Sequence, residues 1–98
     1  TLAGFFKKYE EQTGTECMEF MNAVMAYDCV YWVKDAMERA GSDDPVKVRD
    51  ALEATKDLKL MHATLTMDEF HNPKDKDGIM LVSDIASKKA VFFKKIKP

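Results

Sequence analysis

Apolar Leu2, Phe5, Phe6 and Tyr9 recur at three- and four-residue spacing, with Lys7, Lys8, Glu10 and Glu11 opposite them. That period predicts an amphipathic helix over 2–13, and Gly14 is placed to end it in a left-handed conformation. Seventeen of the twenty-four residues from Cys17 to Ala40 are apolar, with no Gly or Pro until Gly41. At ~100° per residue, Asp28, Lys34, Asp35, Glu38 and Arg39 gather on one arc and leave the rest of the circumference apolar. This predicts one long, largely buried central helix over 17–40, capped by Gly41, with Arg39 near the negative end of its dipole. Asp44-Pro45 then supplies the N-cap and first residue of a third helix over 45–56, with Val48, Ala51, Leu52 and Thr55 as its apolar stripe. After Lys56 the period falls to two. A short strand is predicted over 63–67, and strands over 79–85 and 90–96 form an antiparallel hairpin around Ser87-Lys88-Lys89. The polar stretch Asp68–Gly78, with Asn72-Pro73 and Asp77-Gly78, is the loop between them. The predicted fold class is α/β: three helices, a short strand and a C-terminal antiparallel β-hairpin.

The chain has 98 residues, so one domain at most is accommodated, and its core is thin. Fifteen basic against seventeen acidic residues give a net charge of −2. That balance argues against a dedicated nucleic-acid binder, whose domains are markedly basic. The longest apolar runs, Ala23–Tyr27 and Cys29–Val33, fall far short of the roughly 18–20 residues that a membrane span needs, so no membrane insertion is expected. The N-terminus lacks an initiator Met and the order of a signal peptide, and reads as a chain cut from something larger or as a processed product. Cys17 and Cys29, if carried on one helix, lie about 18 Å apart along its axis, too far for a disulfide. Both are expected to be reduced, buried small apolar residues.

Motifs that carry chemistry are scarce. Asp75-Lys76-Asp77-Gly78 has the look of an EF-hand loop, but with Gly78 at the sixth position the first ligand would be Pro73, which has no side-chain oxygen. It reads as a solvated turn. His62 and His71 lack any helical metal spacing and read as ordinary surface histidines. Neither a nucleophile elbow nor a phosphate-cradling glycine motif is present, so no catalytic residue, cofactor or metal is assigned. Lys88, Lys89, Lys94, Lys95 and Lys97 crowd the hairpin, where exposed lysines block edge-to-edge strand pairing. Asn22 is the odd residue of the long helix. It projects away from the charged arc, on a stripe with Met18, Cys29, Val33 and Ala40, and a buried amide there must bond neighbouring backbone or a ligand. Asn22 is therefore expected on the buried face.

Four stretches in order carry a family resemblance. Phe5-Phe6-Lys7-Lys8-Tyr9 leading to Gly14 is the first. Ala26-Tyr27-Asp28-Cys29-Val30-Tyr31, followed by Ala36-Met37-Glu38-Arg39-Ala40-Gly41-Ser42, is the second. Asp44-Pro45-Val46-Lys47-Val48-Arg49-Asp50-Ala51-Leu52-Glu53-Ala54-Thr55 is the third, and Ala63-Thr64-Leu65-Thr66-Met67-Asp68 with Asn72 the fourth. Together they resemble the C-terminal part of the type I periplasmic solute-binding proteins, which deliver branched-chain amino acids and related small molecules to ABC importers. The resemblance implies a longer parent with two α/β lobes closing on a solute, partnered by an ABC permease. It also implies a periplasmic or extracellular location, with lipid anchoring as one form of it. Many relatives carry an aromatic residue five positions before the motif tyrosine, where it lines the cleft. Here that position is Asn22, which with its neighbour Met21 is the candidate ligand-binding pair, and the amide suggests a more polar solute or a cleft rearranged in this branch. Ala63 and Met67 depart from the family's usual Gly and Phe.

The leading reading is therefore a solute-binding module without catalysis. A ligand-sensing domain of a receptor or regulator on the same fold is the alternative, and a free-standing enzyme ranks last. The isolated chain is expected to bind amino acids weakly or not at all, because most of both cleft walls would be absent, and to self-associate as a symmetric dimer.

Overall fold

The computed structural model describes residues 1–74 and 76–97. The first helix, α1, spans Leu2–Thr13, with the Thr1 hydroxyl accepting from the Gly4 amide and Gly14 closing the far end at φ 72°. The central helix, α2, spans Phe20–Ala40. It starts later than the apolar run predicts, and Cys17 lies outside it, so the expectation that one helix carries both cysteines is corrected. The Thr13 and Thr15 side chains and backbone bond one another. Glu19 offers no side-chain cap, so the chain spends Glu16–Glu19 turning before the first helical bond, Ala23 N–H to Glu19 carbonyl, can form. Both cysteines are free, but Cys17 is half-buried and Cys29 exposed, so the expectation that both are buried is corrected. At the other end Gly41 adopts φ 61°, and the Gly41 and Ser42 amides bond the Glu38 and Met37 carbonyls, the paired closure of a Schellman motif.

Helix α3 spans Pro45–Glu53, with the Asp44 carboxylate capping the Lys47 amide and Pro45 at its first position. It stops short of residue 56 because Thr55 is drawn out of the helix by partners elsewhere in the chain. Two short strands follow, β1 (Leu58–Lys59) and β2 (Thr64–Leu65), paired antiparallel. The sequence pattern predicts only the second, and predicts it longer, since a two-residue strand carries no readable alternation. The C-terminal hairpin joins β3 (Gly78–Asp84) to β4 (Lys89–Ile96), with a bulge between Met80 and Leu81. Its turn is closed by the Asp84 carboxylate accepting from the Ala86 and Ser87 amides, with Lys88 at φ 56°. The result is an α/β chain of three helices and two separate two-stranded antiparallel sheets. Asp75, part of the EF-hand-like stretch, lies outside the described residues.

The interior is small. Val24 and Ala36 are the buried apolar residues among those described, and Asp28 and Thr55 are buried beside them. The expectation of a largely buried α2 is corrected accordingly: Met21, Met25, Val30, Val33 and Met37 are exposed. Helix α2 packs on α3, and β3 packs extensively only on β4. Among the described residues, no helix is long and apolar enough to cross a membrane.

Candidate functional site

Two buried polar residues organise the helical half. Asp28, placed by its helical angle on the solvent arc, is instead 2% exposed. Its Oδ1 accepts from the Met61 amide at 2.9 Å and its Oδ2 from the His62 amide at 3.0 Å. The His62 Nδ1 also meets Oδ2, so His62 is no free surface histidine. A loop running over α2 with three donors aimed at one carboxylate turns a charged position into a buried one, because the charge is fully paired. Burial pushes the Asp28 carboxyl up, but the His62 imidazole and the two amides outweigh it and hold the group below the usual carboxylate range.

Thr55 is the second tie. Its hydroxyl accepts from Trp32 Nε1 at 2.8 Å and from Arg39 Nη2 at 3.0 Å, while its carbonyl accepts from the Met67 amide at 3.0 Å. Arg39 also bonds the Ala51 carbonyl and Asp35. One threonine thus joins α2, the end of α3 and the segment after β2. The following loop is ordered by Asp68, whose Oδ1 accepts from the Phe70 and Asn72 amides.

An open hollow of about 380 Å³ lies beside the Asp28 tie, walled by Tyr27, Tyr31, Lys59 and Leu60. A second, of about 390 Å³, adjoins it between α1 and Met61. Phe5 meets Tyr27 edge-to-face, and Tyr27 donates a hydrogen bond to the Tyr31 hydroxyl at 3.2 Å, which raises its own phenol above the ordinary range.

The predicted ligand-binding pair lies elsewhere. Asn22 and Met21 sit in the first turn of α2, and neither lines these hollows. Asn22 is exposed, not buried as its stripe suggests, and its amide donates to Glu19 Oε2 at 3.3 Å. Around Asn22 the stripe is apolar as read, but among the described residues Met18, Cys29 and Val33 on it are left exposed. Sequence reasoning missed the Asp28–His62 pair, because the two residues are 34 positions apart and share no motif spacing. A carboxylate on an imidazole Nδ1 is how hydrolases orient a general base. Among the described residues, however, His62 bonds only Asp28, and no group of three potential metal ligands assembles. No family model, curated protein or solved structure matches this chain. Nothing in those comparisons points to enzymatic activity.

Proposed function

We propose that this chain is the C-terminal part of an extracellular solute-binding protein of the type I periplasmic family. In this reading the parent binds a branched-chain amino acid or a related, more polar solute between two lobes and presents it to an ABC permease. One observation carries it. The sequence stretches that bear the resemblance are linked to one another, directly or through residues that flank them, by polar contacts at the buried Asp28 and Thr55. Asp28, from the Ala-Tyr-Asp stretch, bonds Met61 and His62 just before the Ala63–Asp68 stretch. Thr55, which ends the Asp-Pro stretch, bonds Trp32, Arg39 and Met67. Motif residues that serve as mutual anchors are what a shared scaffold requires, and they support a family origin better than order along the chain alone. Asn22 and Met21 are the proposed solute contacts on the resemblance alone, since the exposure of Asn22 removes the argument from a buried amide.

Calorimetry on the parent protein encoded by the complete reading frame, against a panel of amino acids, tests this. Micromolar or tighter binding by the parent, weakened by Asn22→Ala, is the expected result. A hinged cleft derives its affinity from contacts on both walls, so the 98-residue chain alone should bind at least a hundredfold more weakly. A parent that binds nothing in the panel, or an isolated chain that binds as tightly as the parent, would overturn the reading.

A further inference from the structure

The C-terminal hairpin carries apolar residues on both faces. Residues directly opposite each other share a face, and faces alternate along each strand. The register therefore puts Ile79, Leu81 and Phe92 on one face, with Ser83 and with Lys95 opposite Ile79, and Met80, Val82 and Val91 on the other, with Lys94 opposite Met80 and Lys89 opposite Asp84. An antiparallel sheet that meets water on one side alternates apolar with polar residues, whereas each face of this hairpin is apolar at its centre, at Leu81–Phe92 and at Val82–Val91, with lysines towards its ends. The chain does not cover them itself: Ile79 and Phe92 are each 64% exposed, and the outer edge of each strand is unpaired.

A matching open face lies on α2. Ala26, Cys29, Val30, Val33 and Met37 form a stripe opposite Val24 and Asp28 at ~100° per residue, and Val30 is 69% exposed. Glu19 stands at the N-terminal end of the same stripe. Charge divides the chain in the same way. Residues 78–98 carry five lysines against one aspartate, whereas residues 1–77 carry ten basic against sixteen acidic side chains. The hairpin is thus basic and the helical part acidic.

Area sets the scale of what is left open. The chain exposes 7980 Å², whereas a compact monomer of its mass would expose about 5,700 Å², an excess of roughly 2,300 Å². A standard interface takes about 800 Å² from each partner, and obligate dimers take more.

We propose that the occupant of both surfaces is a second copy of this chain. The Ile79–Leu81–Phe92 face of each hairpin lies on the α2 stripe of the other copy. One twofold axis then covers both patches at once and brings the basic hairpin to the acidic helices. Asn22 stands on the same stripe, so this dimer would cover the proposed solute contact; cross-linking of the 98-residue chain and calorimetry on the parent protein let the two readings fail separately.

Cross-linking tests it, because Cys29 is a free thiol within the stripe and Ser83 shares the hairpin face of Leu81. In a Cys17→Ser background, Ser83→Cys treated with oxidised glutathione should give a covalent dimer, with the bridge mapping by peptide mass between position 83 of one copy and Cys29 of the other. Lys94→Cys, on the opposite face, should cross-link at least tenfold less. Sedimentation equilibrium of the unaltered chain should give the dimer mass at tens of micromolar, and circular dichroism checks that the variants keep their helices. A monomer at 200 μM, a bridge between 83 and 29 within one chain, or equal cross-linking from both hairpin faces would each overturn the proposal.

Discussion

Asp28 concentrates more of the architecture than any other side chain. Three donors from one loop meet its carboxylate, and exchanging it for an amide keeps the shape but puts an NH2 group, which cannot accept, in place of one of the two accepting oxygens. Asp28→Asn should cost about 1–3 kcal/mol of stability, since hydrogen bonds to charged groups lie at the upper end of the usual range. The pH dependence follows from its depressed carboxyl. The stability it contributes is present above the unfolded value of about 3.9 and is lost as pH falls through the lower folded value. Urea melts from pH 7 down to pH 2.5 should therefore show acid destabilisation that Asp28→Asn flattens. Thr55 makes a second case. Thr55→Val keeps the volume but leaves Trp32 Nε1 and Arg39 Nη2 without their acceptor, which should cost about 1–3 kcal/mol and shift Trp32 fluorescence. Neither residue's role could be read in advance. Helical angle put Asp28 with Lys34 and Glu38 on a solvated arc, and only a loop more than thirty residues away reverses that. Asn22 errs in the opposite direction: its face is apolar, but no other part of the chain lies against it.

At the scale of elements, what is local was legible and what depends on distant partners was not. Gly14, Gly41, Asp44 and Pro45 act through their own backbone and near neighbours, and helix ends were placed correctly wherever they act. The start of α2 and the end of α3 were misplaced, because the Thr13–Thr15 bonds delay one and the Thr55 contacts curtail the other. The β1–β2 pair is too short to show a period and is held by antiparallel pairing with the Leu60 amide bonding the Ala63 carbonyl. Gly41 offers a clean test of local control. A methyl group there would touch nothing within 4 Å, so its only penalty is the backbone angle of φ 61°. Gly41→Ala should destabilise the chain by about 1 kcal/mol, and Gly41→Asn by less, because Asn tolerates the left-handed region. Thermal melts of the two variants side by side would measure the difference.

Across the whole molecule, order is unevenly distributed. The helical unit is closed by the Asp28 and Thr55 ties, whereas the hairpin is bonded mainly within itself. The radius of gyration, 16.7 Å, exceeds the roughly 13 Å of a compact chain of this length, as two loosely joined parts require. A lone two-stranded hairpin is marginally stable in water, so the hairpin's protection must come from whatever covers it. Hydrogen exchange followed by mass spectrometry at two concentrations should separate the parts. At 1 μM the amides of α2 and of the Met61–Met67 segment should exchange slowly, while those of β3 and β4 exchange nearly as fast as an unfolded peptide. At 200 μM, where the dimer is populated, β3, β4 and the α2 stripe should slow together by at least tenfold, as local opening becomes linked to dissociation. Equal protection of the hairpin at both concentrations would mean that it is stabilised within one chain and that its two apolar faces require no partner.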